Sequence, residues 1–377
     1  MSKQLLSAWQ ETEKNGNLEH WLEVIPQLNA LATTPQAPEF HGEGDVWTHT
    51  KMVVRALLDD STYQQATDDE RFALCLSALL HDIAKPSTTV RDEHGTIRQP
   101  GHSRRGAIDA RIILWRHQLD FQLRESICRL IQVHQVPFFA LEAKQKQTPE
   151  FLLRKFSHCF PVWQLCCLAK ADMQGRIYAG KQNVLQDIEL FGLLAQELDC
   201  YNKAATFADN YSAFQYFNGA NIQPEFRLHP SQTGSNVIML SGLPATGKNT
   251  WVAQHYPDLP VASYDDARKK LGLVYGKNEG AVAHLVQSQV KVWLAQKQDF
   301  IWNATHLTEE VRQRTLNTLL AYHATVTLVH LEQAESVLLK RNHLRDTSLS
   351  NSKLISMFNK WEVPLPTEAE YVLYHAH

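Results

Sequence analysis

The clearest chemical signal in the sequence is the segment VIMLSGLPATGKNT, where an apolar run precedes a loop that contains Gly242, Gly247 and Lys248. Glycines at this spacing let backbone amides turn towards phosphate oxygens, and the start of a following helix adds a positive end. Lys248 can reach the β and γ phosphates of a nucleotide. The strand, loop and helix context therefore predicts a P-loop that binds ATP.

The residue after the lysine departs from the usual pattern, which places Ser or Thr there to hold Mg²⁺. Here Asn249 occupies that place and Thr250 follows it. Asn249 could offer its amide oxygen to the metal directly or through water, whereas Thr250 would need a shifted helix start. We favour Asn249 as the Mg²⁺ ligand and keep Thr250 as the alternative.

A second group of polar residues, Asp265, Asp266 and Arg268, follows the short apolar run of VASYDDARKKLG. In a parallel α/β sheet, residues that follow a strand lie at the edge where ligands bind. A carboxylate there can accept the proton of an attacking hydroxyl, and Arg268 can hold a phosphate of the acceptor. The alternative is a solvated helix start with Asp265 as its N-cap.

Histidines and aspartates in the N-terminal half form a candidate metal site. The helical run ALCLSALLHDIAKP ends on His81 and Asp82, and a neutral imidazole beside a carboxylate can ligate a divalent cation. The other candidate ligands are His49, His102, His134 and Asp172. Each alone would more often be an ordinary core or surface residue in a chain with 18 histidines. Their ordered series favours the metal site.

The elements around these residues differ between the two halves. From about residue 70 to 200, apolar residues recur every three or four positions, which predicts packed amphipathic helices. After residue 236, short β-rich runs alternate with helical stretches, which predicts a parallel α/β sheet. Gly, Pro, Asn and Ser collect between them. We expect an all-α domain over 1–200, a connecting segment over 201–236, and an α/β P-loop domain over 237–377.

Bulk properties limit the possible partners and locations. The net charge of −3 provides no broad positive field for non-specific capture of nucleic acid, so any such contact should be local. The six cysteines contain no CxxC pair and are predicted to be free, mostly buried thiols. No stretch approaches the ~20 apolar residues of a membrane span, so we expect a cytoplasmic protein without a membrane partner.

The order GLPATGKNTW, YDDAR, IWNATHLTEEVRQR and LLKRNHLRD resembles the kinase domain of polynucleotide 5′-hydroxyl kinases over about residues 237 to 346. The resemblance implies that Asp265 is the general base on the 5′-hydroxyl and that Arg268 binds the 3′ phosphate of the acceptor. It also implies that Arg345 clamps the ATP phosphates from a lid helix, with Arg341 as a second lid candidate. A merely solvated basic helix face is the alternative for the lid arginines.

One motif of that family is altered here. Asn303 stands where the family has Asp, and His306 stands where it has Asn. The resemblance therefore assigns no role to either residue.

The H...HD...D series resembles the HD phosphohydrolase superfamily over about residues 38 to 176. The resemblance implies a divalent transition metal held by His49, His81, Asp82 and Asp172, with His102 and His134 completing a second site or contacting the substrate phosphate. Such a metal would activate water at neutral pH and neutralise phosphoryl oxygens. The residues expected to hold the substrate phosphate are Lys85, Arg104 and Arg105.

The segments FHGEGDVWTHT and HDIAKP resemble in particular the HD domain attached to some CCA-adding tRNA nucleotidyltransferases, whose activities include hydrolysis of 2′,3′-cyclic and 2′ phosphates. The domain order as a whole resembles the bacterial bifunctional HD-Pnk end-healing enzymes. This resemblance implies transfer of the ATP γ-phosphate to a 5′-hydroxyl end of RNA or DNA, and removal of a 2′,3′-cyclic, 2′ or 3′ phosphate. A nucleic-acid ligase would be the functional partner in repair.

Two other functions fit the same motifs. One is a mononucleotide or small-molecule kinase fused to an HD nucleotide phosphohydrolase. The other is a regulatory module in which ATP binding moves the HD domain without phosphoryl transfer, although Asp265 and Arg268 argue against it.

Overall fold

The computed structural model describes residues 2–142, 146–230, 232–344 and 349–376. The chain divides into two compact units, residues 1–205 and 206–377. The first is helical and the second contains a parallel sheet, which confirms the predicted fold class. The segment 201–236, predicted as a connection, contains the helix Asn210–Phe217 and joins the second unit from Thr206 onwards.

The N-terminal unit is built from eleven α-helices within its described residues. They are α1 (Lys3–Asn15), α2 (Glu19–Val24), α3 (Val46–Leu58), α4 (Ser61–Gln65), α5 (Asp68–Leu80), α6 (Lys85–Thr88), α7 (His102–Arg116), α8 (Phe121–Val133), α9 (Pro149–Ser157), α10 (Val162–Gln174) and α11 (Lys181–Glu197). Two 3₁₀ helices, Pro26–Thr33 and Val136–Phe138, and a hairpin of β1 (Val90–Arg91) and β2 (Ile97–Arg98) complete it. The hairpin was not anticipated from the sequence.

Helix starts in this unit follow local capping rules. Thr67 and Glu70 form a capping box at the start of α5, which satisfies amides that have no partner inside the helix. Asp45 caps α3 by accepting a hydrogen bond from the amide of Thr48. Every residue of α5 from Phe72 to Leu80 is buried, so this helix runs through the core and brings the residues that follow it into the interior.

The C-terminal unit has five parallel strands in the order β4-β5-β3-β6-β7. The strands are β3 (Asn236–Ser241), β4 (Val261–Ser263), β5 (Phe300–Asn303), β6 (Thr325–Leu331) and β7 (Tyr371–His375). The helices are α12 (Asn210–Phe217), α13 (Lys248–His255), α14 (Tyr264–Lys270), α15 (Glu279–Ala295), α16 (Glu309–Leu320), α17 (Glu335–His343) and α18 (Asn351–Phe358).

The P-loop strand β3 is central in this sheet, between β5 and β6. Its residues alternate between two apolar clusters, with Val237 and Met239 in one and Ile238 and Leu240 in the other. Helices therefore cover both faces, as expected for a parallel sheet. This packing places the carboxyl ends of β3, β4 and β5 at one edge, where the P-loop and the DDAR segment follow their strands.

Candidate active sites

The structure brings all six predicted metal ligands of the N-terminal unit into one buried cluster. His49 lies on α3, His81 and Asp82 directly follow α5, His102 begins α7, His134 follows α8, and Asp172 lies near the end of α10. Each of the six is at most 9% exposed. We call this set the histidine–aspartate cluster.

Asp82 lies between two groups of histidines in this cluster. Its Oδ2 is 3.1 Å from Nε2 of His81 and 3.8 Å from Nε2 of His49. Its Oδ1 is 3.5 Å from Nε2 of His102. Because the two oxygens face different histidines, the carboxylate is placed to serve two neighbouring cations.

Asp172 makes a second link across the cluster. Its Oδ1 is 3.1 Å from Nε2 of His49, and its Oδ2 is 3.9 Å from Nε2 of His134. Arg176, one helical turn later, donates to both oxygens of Asp172 at 2.8 Å. The guanidinium of Arg176 therefore fixes the orientation of the Asp172 carboxylate.

The donor atoms of the cluster suit divalent metal ions. Nδ1 of His81, His102 and His134 lies 2.7 to 2.8 Å from a backbone carbonyl, so each ring can direct Nε2 towards the centre. Oδ1 of Asp82 and Nε2 of His134 are buried and make no hydrogen bond within the described residues, an arrangement that is costly unless a cation is bound. Three triplets of possible ligand atoms within 4.8 Å of one another lie inside the cluster, and a fourth joins His49 to His41 and Glu43, among the described residues.

The electrostatics favour the protonation states that metal binding needs. Burial lowers the pKa of His134 to about 3 and also lowers the pKa of His102, so both imidazoles are neutral at pH 7. Burial opposes ionisation of Asp82, but His81 and Lys85 hold the pKa of this carboxyl well below its usual range. His102 and His134 thus offer neutral imidazoles, and Asp82 and Asp172 offer ionised carboxylates. His81 differs, because although burial opposes its protonation, Asp82 and Asp172 raise its pKa, so a metal must displace a proton there.

Lys85 does not extend towards solvent. It is 2% exposed, its Nζ lies 2.7 Å from Oδ2 of Asp82, and it donates to Oε1 of Gln36 at 2.6 Å. Of the other two expected phosphate ligands, Arg105 forms an ion pair with Asp109, and Arg104 is exposed. A role of Lys85 at the substrate phosphate therefore remains a prediction.

Several supporting residues were not singled out from the sequence. Glu43 Oε1 lies 2.8 Å from Nδ1 of His41 and 3.0 Å from Nδ1 of His49. Gln36 holds Lys85, and Arg176 holds Asp172. The i to i+4 spacing of Asp172 and Arg176 was a usable signal. Glu43 had none beyond its place in FHGEGDVWTHT, because its contact depends on how that loop folds.

The P-loop of the second unit has the backbone that the glycine pattern predicts. Gly242 and Gly247 have φ values of 137° and 100°, in the region that favours glycine. A Cβ at Gly242 would stand 2.2 Å from the carbonyl oxygen of Leu331, so no larger residue fits. Nζ of Lys248 donates to the carbonyl oxygens of Gly242 and Leu243 at 3.0 and 2.8 Å. The ammonium group therefore lies against the loop.

The residue after Lys248 contacts a neighbouring strand end. Nδ2 of Asn303, the last residue of β5, donates to Oδ1 of Asn249 at 2.7 Å. The usual Mg²⁺ ligands, a Ser or Thr hydroxyl and an aspartate, are both absent from these two positions. The pair therefore fits Mg²⁺ poorly. Thr250 is exposed in the first turn of α13.

The predicted acceptor residues form an ion-pair group at the start of α14. Nη1 of Arg268 donates to Oδ1 of Asp265 at 2.7 Å, and its other donors reach both oxygens of Glu279 at 3.1 and 2.8 Å. Ser263 caps α14, not Asp265, because its hydroxyl accepts from the amide of Asp266. Asp265 is therefore not the N-cap of α14.

One of the two lid arginines is described. Nη1 of Arg341, in the last turn of α17, lies 3.5 Å from the carbonyl oxygen of Thr246 and 3.4 Å from a Cβ placed at Gly247. This brings a positive charge to the P-loop, and a lid role for Arg341 remains a prediction. Arg345, the other predicted lid arginine, lies outside the described residues.

His306 proves to be structural. It is 3% exposed, and its Nδ1 lies 2.6 Å from the carbonyl oxygen of Leu240 in the P-loop strand. Nε2 faces the hydroxyl of Thr315 at 3.3 Å. The ring thus joins the segment after β5 to β3 and to α16.

The two halves of the chain are similar to different known proteins. The AAA domain family matches residues 237–356. Multifunctional CCA proteins match elsewhere, with 30% identity over 158 residues for Halorhodospira halophila, 29% over 160 for Xanthomonas campestris pv. campestris strain B100, and 31% over 163 for Stenotrophomonas maltophilia. These matches cover 41% of this chain and 35 to 36% of each relative. The chain thus spans about a third of the length of the curated relatives it matches.

A solved structure from Chloroflexus aurantiacus J-10-fl, described as a "putative kinase", aligns with a TM-score of 0.32 and 20% identity. The alignment covers 38% of this chain and 85% of that one.

The C-terminal unit carries a P-loop on a parallel α/β sheet and matches the AAA domain family, which implies ATP and Mg²⁺. The other half has homology to multifunctional CCA proteins. Among the described residues, no helix combines the length and the apolar character needed to cross a membrane.

Proposed function

We propose that this chain is a bifunctional enzyme that prepares broken nucleic-acid ends for ligation. Its P-loop unit would transfer the γ-phosphate of ATP to a 5′-hydroxyl end of RNA or DNA. Its histidine–aspartate cluster would act as an HD phosphohydrolase site on a 2′,3′-cyclic, 2′ or 3′ phosphate. The observation that carries the proposal is the pairing in one chain of a P-loop followed by Asp265 and Arg268 with a buried cluster of four histidines and two aspartates.

The kinase residues have the charges that phosphoryl transfer requires. Lys248 and Arg341 supply positive charge beside the loop where the nucleotide phosphates would bind. Asp265 would accept the proton of the attacking hydroxyl. Arg268 would exchange a carboxylate partner for the acceptor phosphate, and because Asp265 and Glu279 are 48% and 43% exposed, that exchange costs little.

The hydrolase site would hold its substrate phosphate against buried positive charge. A bound divalent metal would supply Lewis acidity and activate water. Asp82 and Asp172, each fixed by a basic side chain, would keep the ligand set in place, and Lys85 would balance the charge of Asp82. The name of the CCA-protein relatives supports a nucleic acid as substrate.

The kinase half is tested with purified protein, γ-labelled ATP and 5′-hydroxyl oligonucleotides of RNA and DNA. We expect label at the 5′ end, its loss in Asp265→Asn, and its retention in Asp258→Asn, which changes an exposed carboxylate of the same unit. No labelled end with wild-type protein would refute the kinase. Nucleosides that outcompete oligonucleotides as acceptors would favour the small-molecule kinase instead, because only a polynucleotide site gains from contacts beyond the terminal nucleotide.

The hydrolase half is tested with RNA that ends in a 2′,3′-cyclic phosphate. We expect Asp82→Ala to abolish processing of that end while 5′ phosphorylation continues. The control is Asp69→Ala, an exposed carboxylate on α5, the helix that precedes Asp82. If Asp82→Ala removed both activities, the two sites would not be independent.

A further inference from the structure

The hydrogen bond between Asn249 and Asn303 joins the two positions that usually bind the cation in a P-loop site. Asn249 lies in the first turn of α13, and Asn303 ends β5. Strand β5 pairs directly with the P-loop strand, with Trp302 opposite Met239. The 2.7 Å contact therefore lies at the sheet edge where the nucleotide phosphates would bind.

Elsewhere, P-loop enzymes hold Mg²⁺ with the hydroxyl after the lysine and an aspartate at a strand end. Mg²⁺ selects such sites because it binds carboxylates together with substrate phosphates. Here both positions carry neutral carboxamides, and the oxygen of Asn249 accepts a hydrogen bond from Asn303. The two departures from the usual P-loop sequence therefore occur as a pair, because the side-chain amides of Asn249 and Asn303 are hydrogen-bonded to each other.

Loss of the carboxylate changes what the site does to ATP in the absence of metal. An aspartate beside the phosphates repels them unless a cation lies between, because like charges a few ångströms apart interact strongly. A carboxamide at Asn303 does not repel them. Lys248 and Arg341 remain to balance the phosphate charge.

We propose that this site binds ATP through the P-loop, Lys248 and Arg341, and that Mg²⁺ is held by the nucleotide rather than by the protein. The inference rests on the proposed ATP-binding function. It predicts that the affinity for ATP changes less than about threefold when Mg²⁺ is removed, whereas a site with protein ligands for the metal loses at least tenfold.

The alternative to this proposal is that the carboxylate of Asp266 binds the cation. A cleft of about 250 Å³ is lined by Asn249 and Asn303, and Asp266 contributes the carboxylate among its described lining residues. Asp266 is exposed in the first turn of α14. If Asp266 bound the cation, wild-type affinity would depend on Mg²⁺ and Asp266→Asn would remove that dependence.

The experiment measures Kd for ATP by calorimetry on the full chain, once with Mg²⁺ and once with chelator. Three proteins are compared: wild type, Asp266→Asn, and the double variant Asn249→Thr/Asn303→Asp, which restores the usual ligands. We expect a ratio of the two Kd values below about three for wild type and for Asp266→Asn. For the double variant we expect a ratio above about ten, with weaker binding in chelator. Melting temperatures check that the variants are folded.

The possible results separate the two ideas. ATP binding by wild type that requires Mg²⁺ would overturn this inference and leave the kinase proposal intact. No ATP binding under either condition would overturn the kinase proposal together with the inference. The wild-type measurement decides the matter even if the double variant does not fold.

Discussion

Glu43 and His49 form a carboxylate–imidazole pair behind the histidine–aspartate cluster, with Oε1 of Glu43 3.0 Å from Nδ1 of His49. The other ring nitrogen, Nε2, faces Asp172 at 3.1 Å. Although burial opposes ionisation of Glu43, hydrogen bonds from His41 and His49 lower the pKa of its carboxyl group. An ionised carboxylate at Nδ1 fixes the tautomer that presents Nε2 to a metal and raises its basicity.

Replacing Glu43 should therefore weaken metal binding without removing a ligand. We expect Glu43→Gln to reduce the affinity of the N-terminal unit for a divalent transition metal by about tenfold or more, the range typical of such outer partners. Metal titration of apoprotein measures this directly. Glu39→Gln, an exposed change in the same segment, should leave the affinity unchanged. Equal affinities for the two variants would show that Glu43 has no such role.

Close packing of Gly175 against α3 should make it intolerant of any side chain. A Cβ there would lie 2.6 Å from a methyl carbon of Val53 and 2.8 Å from its backbone nitrogen, so α10 would have to move away from α3. Since Asp172 is on α10 and His49 on α3, that movement would separate two cluster residues. We expect Gly175→Ala to lower stability by roughly 1–3 kcal/mol and to weaken metal binding.

The matched control for this change is Gly192→Ala. Its Cβ would meet the nearest described atom, Sγ of Cys166, at 3.5 Å, which is ordinary contact, and alanine is favoured inside α11. Thermal melts and metal titrations of both variants provide the comparison. If the two variants behaved alike, close packing would not be what fixes the position of α10.

The sequence predicts those parts of the sites that have a local signature. The P-loop could be recognised because its strand, its glycines and Lys248 are contiguous. The contact between Asn249 and Asn303 joins residues 54 positions apart and depends on strand register, so no local sequence pattern predicts it. Strand β7 was also not predicted, although its run Tyr371–His375 begins with aromatic and aliphatic residues typical of a strand.

The role of His306 at the P-loop strand should make stability depend on pH. Burial, with Arg312 and Lys248 nearby, lowers its pKa from 6.5 to about 4. Below pH 6.5 the unfolded chain binds a proton that the folded chain does not, so stability falls as pH decreases from about 6.5 to 4. The expected slope is about 1.4 kcal/mol per pH unit, or about 3 kcal/mol in total.

The control for this prediction is His306→Asn, because an asparagine side chain does not titrate in this pH range. It tolerates the positive φ of 41° at His306 and can donate to the carbonyl oxygen of Leu240, as Nδ1 of the imidazole does. Native-state hydrogen exchange of the β6 and α16 amides, corrected for intrinsic rates, gives the local stability. We expect the pH slope of wild type to be reduced in His306→Asn. An unchanged slope would assign the effect to other groups.

Arg312 and Glu368 form a buried ion pair that holds the segment before β7 against α16. Nε and Nη2 of Arg312 donate to the two carboxylate oxygens at 2.6 and 2.8 Å, and the side chains are 0% and 6% exposed. Removing one partner leaves a buried charge without compensation. We expect Arg312→Ala to destabilise this unit by about 3–5 kcal/mol, as for other buried pairs.

A double replacement distinguishes loss of the pair from loss of packing. Arg312→Met with Glu368→Leu removes both charges and keeps apolar volume, so it should cost less than Arg312→Met alone. Hydrogen exchange of the α16 amides in the full chain reports the stability of each variant. If the double variant were less stable than either single one, the ion pair would not be the main contribution of Arg312 to stability. The hydrogen bonds that its guanidinium donates to the carbonyl oxygens of His306 and Glu362 would contribute more.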